Sequence, residues 1–295
     1  MKHIFIINPN SGIGEYKEVQ QWIEKHQHDT GFDYEVFETQ YVGHATEIAS
    51  TFDDPNVVLY SCGGDGTLHE VLNGIGLNSQ LGVIPVGTSN DFWRMLNFSG
   101  NIDEILTELV FNGHETKVDI GVSNGERYLN CANFGLDACI NRDVNLSTNT
   151  VVPRRMLYLY YAVKNIFKMK PVKYELEMNG KTRHVDAILT SIMNGRYYGN
   201  GFKSTPDARI DDGLFDVCVV DPISILEAFN LLPKYMKGTH VSHKKVHVEQ
   251  TQALTIRSMA PILYGLDGEI FEATQLEFSI EKHALRLRVP RGYSS

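Results

Sequence analysis

An alternation in the first 121 residues constrains this chain more than any other feature. Short apolar runs of strand length are each closed by turn residues and followed by a helical or short helical pattern. His3 to Ile7, Tyr34 to Phe37, Val57 to Ser61 and Leu81 to Val86 read as strands, and Glu15 to Gln27 is the clearest helix. Strands separated by helices pair in parallel, because each helix carries the chain back along the sheet. The segment is therefore expected to form a doubly wound α/β domain with helices on both faces. From about Gly121 the signals change to hairpins. Tyr174 to Met178 and Thr182 to Ile192 flank Asn179-Gly180, a pair that tolerates the positive φ of a type I′ turn. Further strands are expected at Phe215 to Val220, Ala253 to Arg257, Gln275 to Ile280 and Ala284 to Val289, with helical stretches near Arg154 to Met169 and Ser224 to Met236. A mostly β second domain follows the first with no linker between them.

With 295 residues the chain can bury two cores, and its net charge of −9 argues against a nucleic-acid partner, which demands clustered Lys and Arg. No apolar run is long enough to span a bilayer, and Met1-Lys2-His3-Ile4 enters a strand rather than a signal peptide. A cytoplasmic protein is expected. Cys62, Cys131, Cys139 and Cys218 show no C-x-x-C spacing and stand in apolar, strand-like contexts, which favours buried free thiols over disulfides or zinc ligands.

In an open α/β sheet, ligands sit beyond the carboxyl ends of the strands. Three loops there are polar or glycine-rich: Asn8-Pro9-Asn10-Ser11-Gly12, Gly63-Gly64-Asp65-Gly66-Thr67 and Gly87-Thr88-Ser89-Asn90-Asp91. Thr67 and Glu70 have the spacing of a capping box, so a helix is expected to start directly after the glycines and to present its free N–H groups to a phosphate. Thr88 and Asp91 offer a weaker version. No Lys follows Thr67, which excludes a Walker loop, and no G-x-G-x-x-G follows the first strand, which disfavours an ordinary dinucleotide-dependent oxidoreductase. A carboxylate beside a polyphosphate is repulsive unless a divalent cation lies between them. Asp65 therefore reads as a hold on nucleotide-bound Mg²⁺, the alternative being a turn aspartate that bonds its own backbone.

Together with Pro206, Asp212-Gly213 and Asp267-Gly268-Glu269, these motifs resemble the diacylglycerol kinase catalytic family, specifically its bacterial lipid kinases, in order along almost the whole chain. The resemblance implies a phosphofructokinase-like nucleotide domain over 1–121 and about 283–295, and a β-sandwich lipid-substrate domain over 122–282, with ATP in the cleft between them. It implies a nucleotide site at Asn8, Pro9, Asn10, Ser11, Gly12, Thr39, Gly64, Asp65, Gly66, Thr67, Leu68, His69, Glu70 and Thr88. His69 departs from the family, which usually has Asn there. It also implies a Mg²⁺ held by Asp212 and the backbone carbonyls of Arg209 and Leu214, where the residue-level alternative is a simple Asp-Gly turn. The proton acceptor falls in Asp267-Gly268-Glu269, with Glu269 as base and Asp267 orienting it or substituting for it. Asp119 resembles a further member of the metal-water network.

The acceptor lipid would be met at a membrane. Arg154-Arg155 opens an aromatic run continuing through Lys164, Lys168 and Lys170, and Lys234, Lys237, Lys244 and Lys245 form a second basic cluster. Such segments suit the headgroups of anionic lipids, or else a core-facing helix with a solvated basic edge. The expectation is an ATP- and Mg²⁺-dependent lipid kinase on the inner face of the membrane, most simply acting on diacylglycerol, with a homodimer left open. NAD kinase, which shares the Gly-Gly-Asp-Gly-Thr loop, and a non-catalytic nucleotide-binding protein are the alternatives.

Overall fold

The computed structural model describes residues 1–12, 14–29, 31–147, 152 and 154–293, without the side chains of Arg154 and Arg155, so the basic pair expected to open the aromatic helix lies outside the described residues. The chain divides into two units, 1–119 with 282–295, and 120–281.

The first unit contains β1 (Lys2–Ile7), α1 (Tyr16–His26), β2 (Asp33–Glu38), α2 (His44–Ala49), β3 (Val57–Gly63), α3 (Asp65–Gly74), β4 (Gln80–Pro85) and α4 (Ile102–Thr107). It also takes the start of β5 (His114–Ser123) and residues 282–289 of the final strand. The order final strand, β4, β3, β1, β2 is parallel throughout, as the alternation predicts. β3 is buried at every residue, which explains why its sequence is a continuous apolar run rather than an alternating one. Asp119 is fully buried, and its Oδ1 accepts the His283 N–H at 2.7 Å, fastening a left-handed residue at φ 54°.

The second unit takes the end of β5 and then β6 (Glu126–Tyr128), β7 (Cys131–Gly135), α5 (Leu136–Asn145), α6 (Arg154–Ile166), β8 (Val172–Met178), β9 (Lys181–Ala187) and β10 (Leu189–Met193). These are followed by β11 (Tyr197–Tyr198), β12 (Phe202–Lys203), β13 (Phe215–Val220), α7 (Ile225–Lys237), β14 (Val246–Thr251), β15 (Ala253–Leu266) and β16 (Glu269–Val289). The expected hairpin joins β8 to β9 through Asn179 and Gly180, at φ 53° and 72°. Two expectations need correction. Thr182 to Ile192 is not one strand: it breaks at Ile188, whose N–H goes to Val220 O, so that β9 pairs with β8 while β10 lies between β7 and β13. Gln275 to Val289 is not two strands but part of the single run β16.

Antiparallel strands β14, β13, β10, β7 and β15 lie side by side and alternate between two cores. Ala132, Phe134, Ile192, Val217 and Leu266 face the sandwich interior, while Cys131, Leu189, Met193, Cys218 and Val220 face a second core with residues of α5, α6 and α7. That period of two is how one sheet serves both. Cys62, Cys131 and Cys218 are buried free thiols, but Cys139 sits in helix α5 and is only half-buried.

Beneath the helices Asp137 is a buried carboxyl whose Oδ2 accepts from Tyr198 Oη and, at 3.4 Å, from Tyr235 Oη. Burial pushes it up from 3.8 to about 7, with the two tyrosine hydroxyls opposing the shift. Tyr158, Cys139, Cys218 and His240 are further titratable groups around it, Cys218 Sγ lying 4.0 Å from His240 Nε2. Because the folded value is the higher one, the native state keeps a proton that the unfolded chain has already released. Stability is then lost as pH rises from about 4 to about 7, by up to about 1.4 kcal/mol per unit. Asp137→Asn stays neutral, so its melting temperature should climb relative to wild type across that window. Parallel melting curves would remove Asp137 from the pH dependence.

Candidate active site

The neighbouring strands β1, β3 and β4 release their three loops at one end of the first unit's sheet. Asn8 folds its loop back, its Oδ1 accepting the Asn10 N–H at 2.9 Å, and donates from Nδ2 to Thr67 Oγ1 at 2.9 Å. Ser11 Oγ reaches the same hydroxyl at 3.5 Å and accepts the Gly64 N–H at 3.4 Å. Asp65 Oδ1 accepts the Asp91 N–H at 2.9 Å, which ties the β3 loop to the β4 loop. The loops also touch through bare backbone: a Cβ on Gly87 would stand 2.2 Å from Gly64 Cα, and one on Gly12 2.2 Å from Val86 O. Only glycine permits either approach, and Gly12 is held at φ 68° besides. Thr39 follows β2 at the same end, its N–H on Ile7 O.

The expected capping box is absent. α3 starts one residue after Gly64 with no side-chain cap, since Thr67 is engaged by Asn8 and Ser11. Glu70 caps another helix instead, accepting the Ala45 N–H of α2 at 3.1 Å. An uncapped helix start beside glycines leaves N–H groups and the positive end of the helix dipole for an anion. Of the residues expected around the nucleotide, Leu68 and His69 are buried, the His69 carbonyl accepting from Asn73 Nδ2 at 2.9 Å. Pro9, Asn10, Gly64, Gly66 and Thr88 keep exposed or half-buried positions on the loops. Thr88 starts no helix of its own; the next element is a short 3₁₀ turn at Trp93–Leu96.

In the second unit, Asp267 and Gly268 form the turn between β15 and β16, at φ 48° and 101°. The Asp267 carboxylate points away from that turn and accepts three backbone N–H groups, those of Leu129, Asn130 and Cys131, at 2.6, 2.9 and 2.9 Å. Glu269, two residues on, is exposed. The same hairpin separates the two carboxylates chemically: one is committed to structure and the other faces outward. Asn145 of α5 braces the turn, donating from Nδ2 to Gly268 O at 3.0 Å. Neither the 129–131 amides nor Asn145 is marked by local sequence, because they meet the hairpin across more than a hundred residues of chain.

Asp212 accepts the Leu214 N–H on Oδ1 at 2.9 Å, as a turn aspartate does, with Gly213 at φ 78°. Its neighbourhood is more acidic than a turn requires. Asp216 is pushed up to about 6, first by burial and also by the nearby charges of Asp212 and Asp207, and its buried Oδ2 has no hydrogen-bond partner. A hard cation held by one carboxylate and backbone carbonyls would relieve that repulsion, so the residues present fit Mg²⁺. Among the described residues no three His, Cys, Asp or Glu side chains converge as a metal cluster.

Comparison with known proteins covers both units. The model of the diacylglycerol kinase catalytic domain matches residues 2–123, and that of the YegS C-terminal NAD kinase beta sandwich-like domain matches residues 130–289. A Staphylococcus aureus protein named diacylglycerol kinase is 31% identical over 284 residues, 94% of this chain and 89% of that protein. A namesake from Staphylococcus saprophyticus is 30% identical, covering 90% and 87%. A crystal structure described as that of a diacylglycerol kinase from Bacillus anthracis superposes with a TM-score of 0.73 at 20% identity, covering 99% and 98%. The last likeness is one of fold, but the first four join sequence to both halves in order. By them this kinase chain belongs to the diacylglycerol kinase catalytic family.

Proposed function

We propose that the protein transfers the γ-phosphoryl group of ATP to the hydroxyl of a membrane lipid, with diacylglycerol as acceptor and phosphatidic acid as product. The observation that carries the reading is the division of labour in the Asp267-Gly268-Glu269 hairpin. Three backbone N–H groups bond the Asp267 carboxylate, and Glu269 is left exposed to take the proton of an acceptor hydroxyl. The loops gathered around Thr67 and Asp65 supply backbone N–H groups for the ATP phosphates, and the Asp65 charge suits a phosphate-bound cation. Mg²⁺, when bound, neutralises charge that spreads over the transferred group.

Access from a bilayer is part of the same reading. No helix among the described residues is long and apolar enough to cross a membrane. Helix α6 turns Leu157, Tyr158, Ala162 and Ile166 inward, and it exposes Met156, Leu159, Tyr160 and Lys164, with Phe167, Lys168 and Lys170 exposed just beyond it. Apolar and basic groups on one exposed face suit an anionic lipid surface at the inner side of the membrane. Incubating a total lipid extract with enzyme, ATP and Mg²⁺ and reading products by mass spectrometry tests the assignment. Phosphatidic acid is the expected product. Phosphorylation of NAD without any lipid would favour the NAD kinase reading, which the description of the second matched domain keeps in play.

The metal assignment has its own test. An ion that binds only the native protein stabilises it by mass action, so the melting temperature should rise with added Mg²⁺, and Asp212→Ala should lose that rise. A wild-type Mg²⁺ response in the variant would remove the cation from Asp212.

A further inference from the structure

An exposed side chain is aimed by the backbone that carries it. Glu269 is exposed, and its backbone leaves a hairpin turn in which Leu266 and Glu269 are the closing pair. With Asp267 at φ 48° and Gly268 at φ 101°, the residues between them have the signature of a type I′ turn. The halves of that turn are held very differently. Asp267 is clamped to the start of β7, its carboxylate on the N–H groups of Leu129, Asn130 and Cys131 and its own N–H on Cys131 O at 2.9 Å. Gly268 has no side chain, and a Cβ built there would meet no atom of the described residues within 4 Å, so packing does not restrain it. Its carbonyl instead accepts from Asn145 Nδ2 at 3.0 Å. That carbonyl belongs to the peptide whose nitrogen is that of Glu269.

Asn145 is well placed to fix that peptide. It is the last residue of α5, whose buried Asp137, Ala138, Ile140 and Val144 seat the helix on the second unit's core. At the first turn the Leu136 N–H bonds Ile188 O at 2.9 Å and the Asp137 carboxyl accepts from Tyr198 and Tyr235, so the helix is anchored at the end far from the hairpin. Asparagine at a helix end is commonly asked for by a left-handed cap. That is not the reason here: Asn145 has no positive φ, and the cap is Leu146, at φ −77° with its N–H on Arg142 O at 3.0 Å. The Asn145 side chain is exposed, so the fold has little stability at stake in it.

We propose that Asn145 is a positioning residue for proton transfer: by holding the Gly268–Glu269 peptide it aims the Glu269 carboxylate at the acceptor hydroxyl. The proposal rests on the lipid kinase reading, with Glu269 as the base. A general base acts only within hydrogen-bond reach of the proton it takes, and a small misplacement is enough to remove it. The size of the effect is bounded by the bond that holds the peptide. A neutral hydrogen bond shifts an equilibrium by roughly two- to tenfold, so the population of well-aimed Glu269 falls by that factor when the bond is lost.

Removing the donor is the test. Asn145→Leu matches the branched shape without an N–H, and Asn145→Ala is the second variant should the first fail to fold, which thermal melts will show. Single-turnover rates at saturating ATP, Mg²⁺ and dioctanoylglycerol are measured on the full chain in detergent micelles, for each variant alone and combined with Glu269→Gln. Amide exchange over residues 266–270 is followed by mass spectrometry. Alone, loss of the donor should slow turnover roughly two- to tenfold and quicken exchange in the hairpin, with the melting temperature and the ATP dependence unchanged. In the Glu269→Gln background it should cost nothing further, because no base remains to be aimed and groups that act as one unit are not additive. Equal losses in the two backgrounds would overturn the proposal, since Asn145 would then be a brace with no bearing on the base. So would an unchanged rate in the single variant, or normal turnover by Glu269→Gln alone. Each of these results leaves phosphorylation of the glycerolipid by the wild type intact, and the kinase reading with it. A wild type that phosphorylates no lipid ends that reading and the proposal together.

Discussion

Glu269→Gln is expected to lower the single-turnover rate by roughly 10² to 10⁴, the usual cost of losing a general base, and to leave the melting temperature unchanged. The amide keeps the shape of the side chain and loses only its ability to take a proton. Since Glu269 is exposed beside its turn, the fold has little at stake in it. Asp267→Asn should behave in the opposite way. Its carboxylate accepts three backbone N–H groups, which an amide cannot match with its single acceptor oxygen. Hydrogen bonds to charged groups are worth about 1.5–3 kcal/mol each, so a loss of stability of that order is expected. Activity should fall only as far as the hairpin loosens. Thermal melts and single-turnover rates on both variants separate the two. Normal turnover by Glu269→Gln with a dead but stable Asp267→Asn would move the base to Asp267.

Asp65→Asn is the second large effect. Asp65 Oδ1 accepts the Asp91 N–H, and an amide oxygen can do the same, so the tie between the β3 and β4 loops should survive. What disappears is the negative charge offered to a phosphate-bound cation. Turnover at saturating Mg²⁺ is expected to fall on the order of 10² or more, with the fold intact by circular dichroism and melting. Activity within about twofold of wild type would reduce Asp65 to a residue that only fastens the loops, since metal charge stabilisation is worth several kcal/mol.

Much of the first unit was legible because its signals are local. Strand length, turn residues and helical periodicity are each written within a dozen positions, and parallel pairing follows from their order. The same holds for the Asn179-Gly180 hairpin, whose positive φ values ask for those two residue types. Local signals misled where a residue had a distant claim on it. Thr67 and Glu70 have the spacing of a capping box, but Asn8 and Ser11 reached Thr67 from the loop after β1, and α2 supplied the N–H that Glu70 bonds. Cys139 stands among apolar neighbours that suit a strand as well as the buried side of α5. Thr182 to Ile192 reads as one strand because nothing at Ile188 marks the point where the chain changes partners.

By itself, then, the sequence determined the class of sheet, and it singled out three loops and a short set of carboxylates as candidates for the site. Tertiary structure alone decided how the surroundings of those carboxylates differ. Asp267 and Glu269 share one turn and have nearly the same chemistry, and they are told apart by the amides of Leu129, Asn130 and Cys131, which arrive from up to 138 residues away. Asp137 likewise becomes a carboxyl that titrates near 7 only when α5 carries it under a roof of helices against Tyr198 and Tyr235. The physical reason is common to both. A side chain's intrinsic acidity and hydrogen-bonding capacity are fixed by its type, but the desolvation and the partners that shift or occupy it exist only once distant segments have packed together.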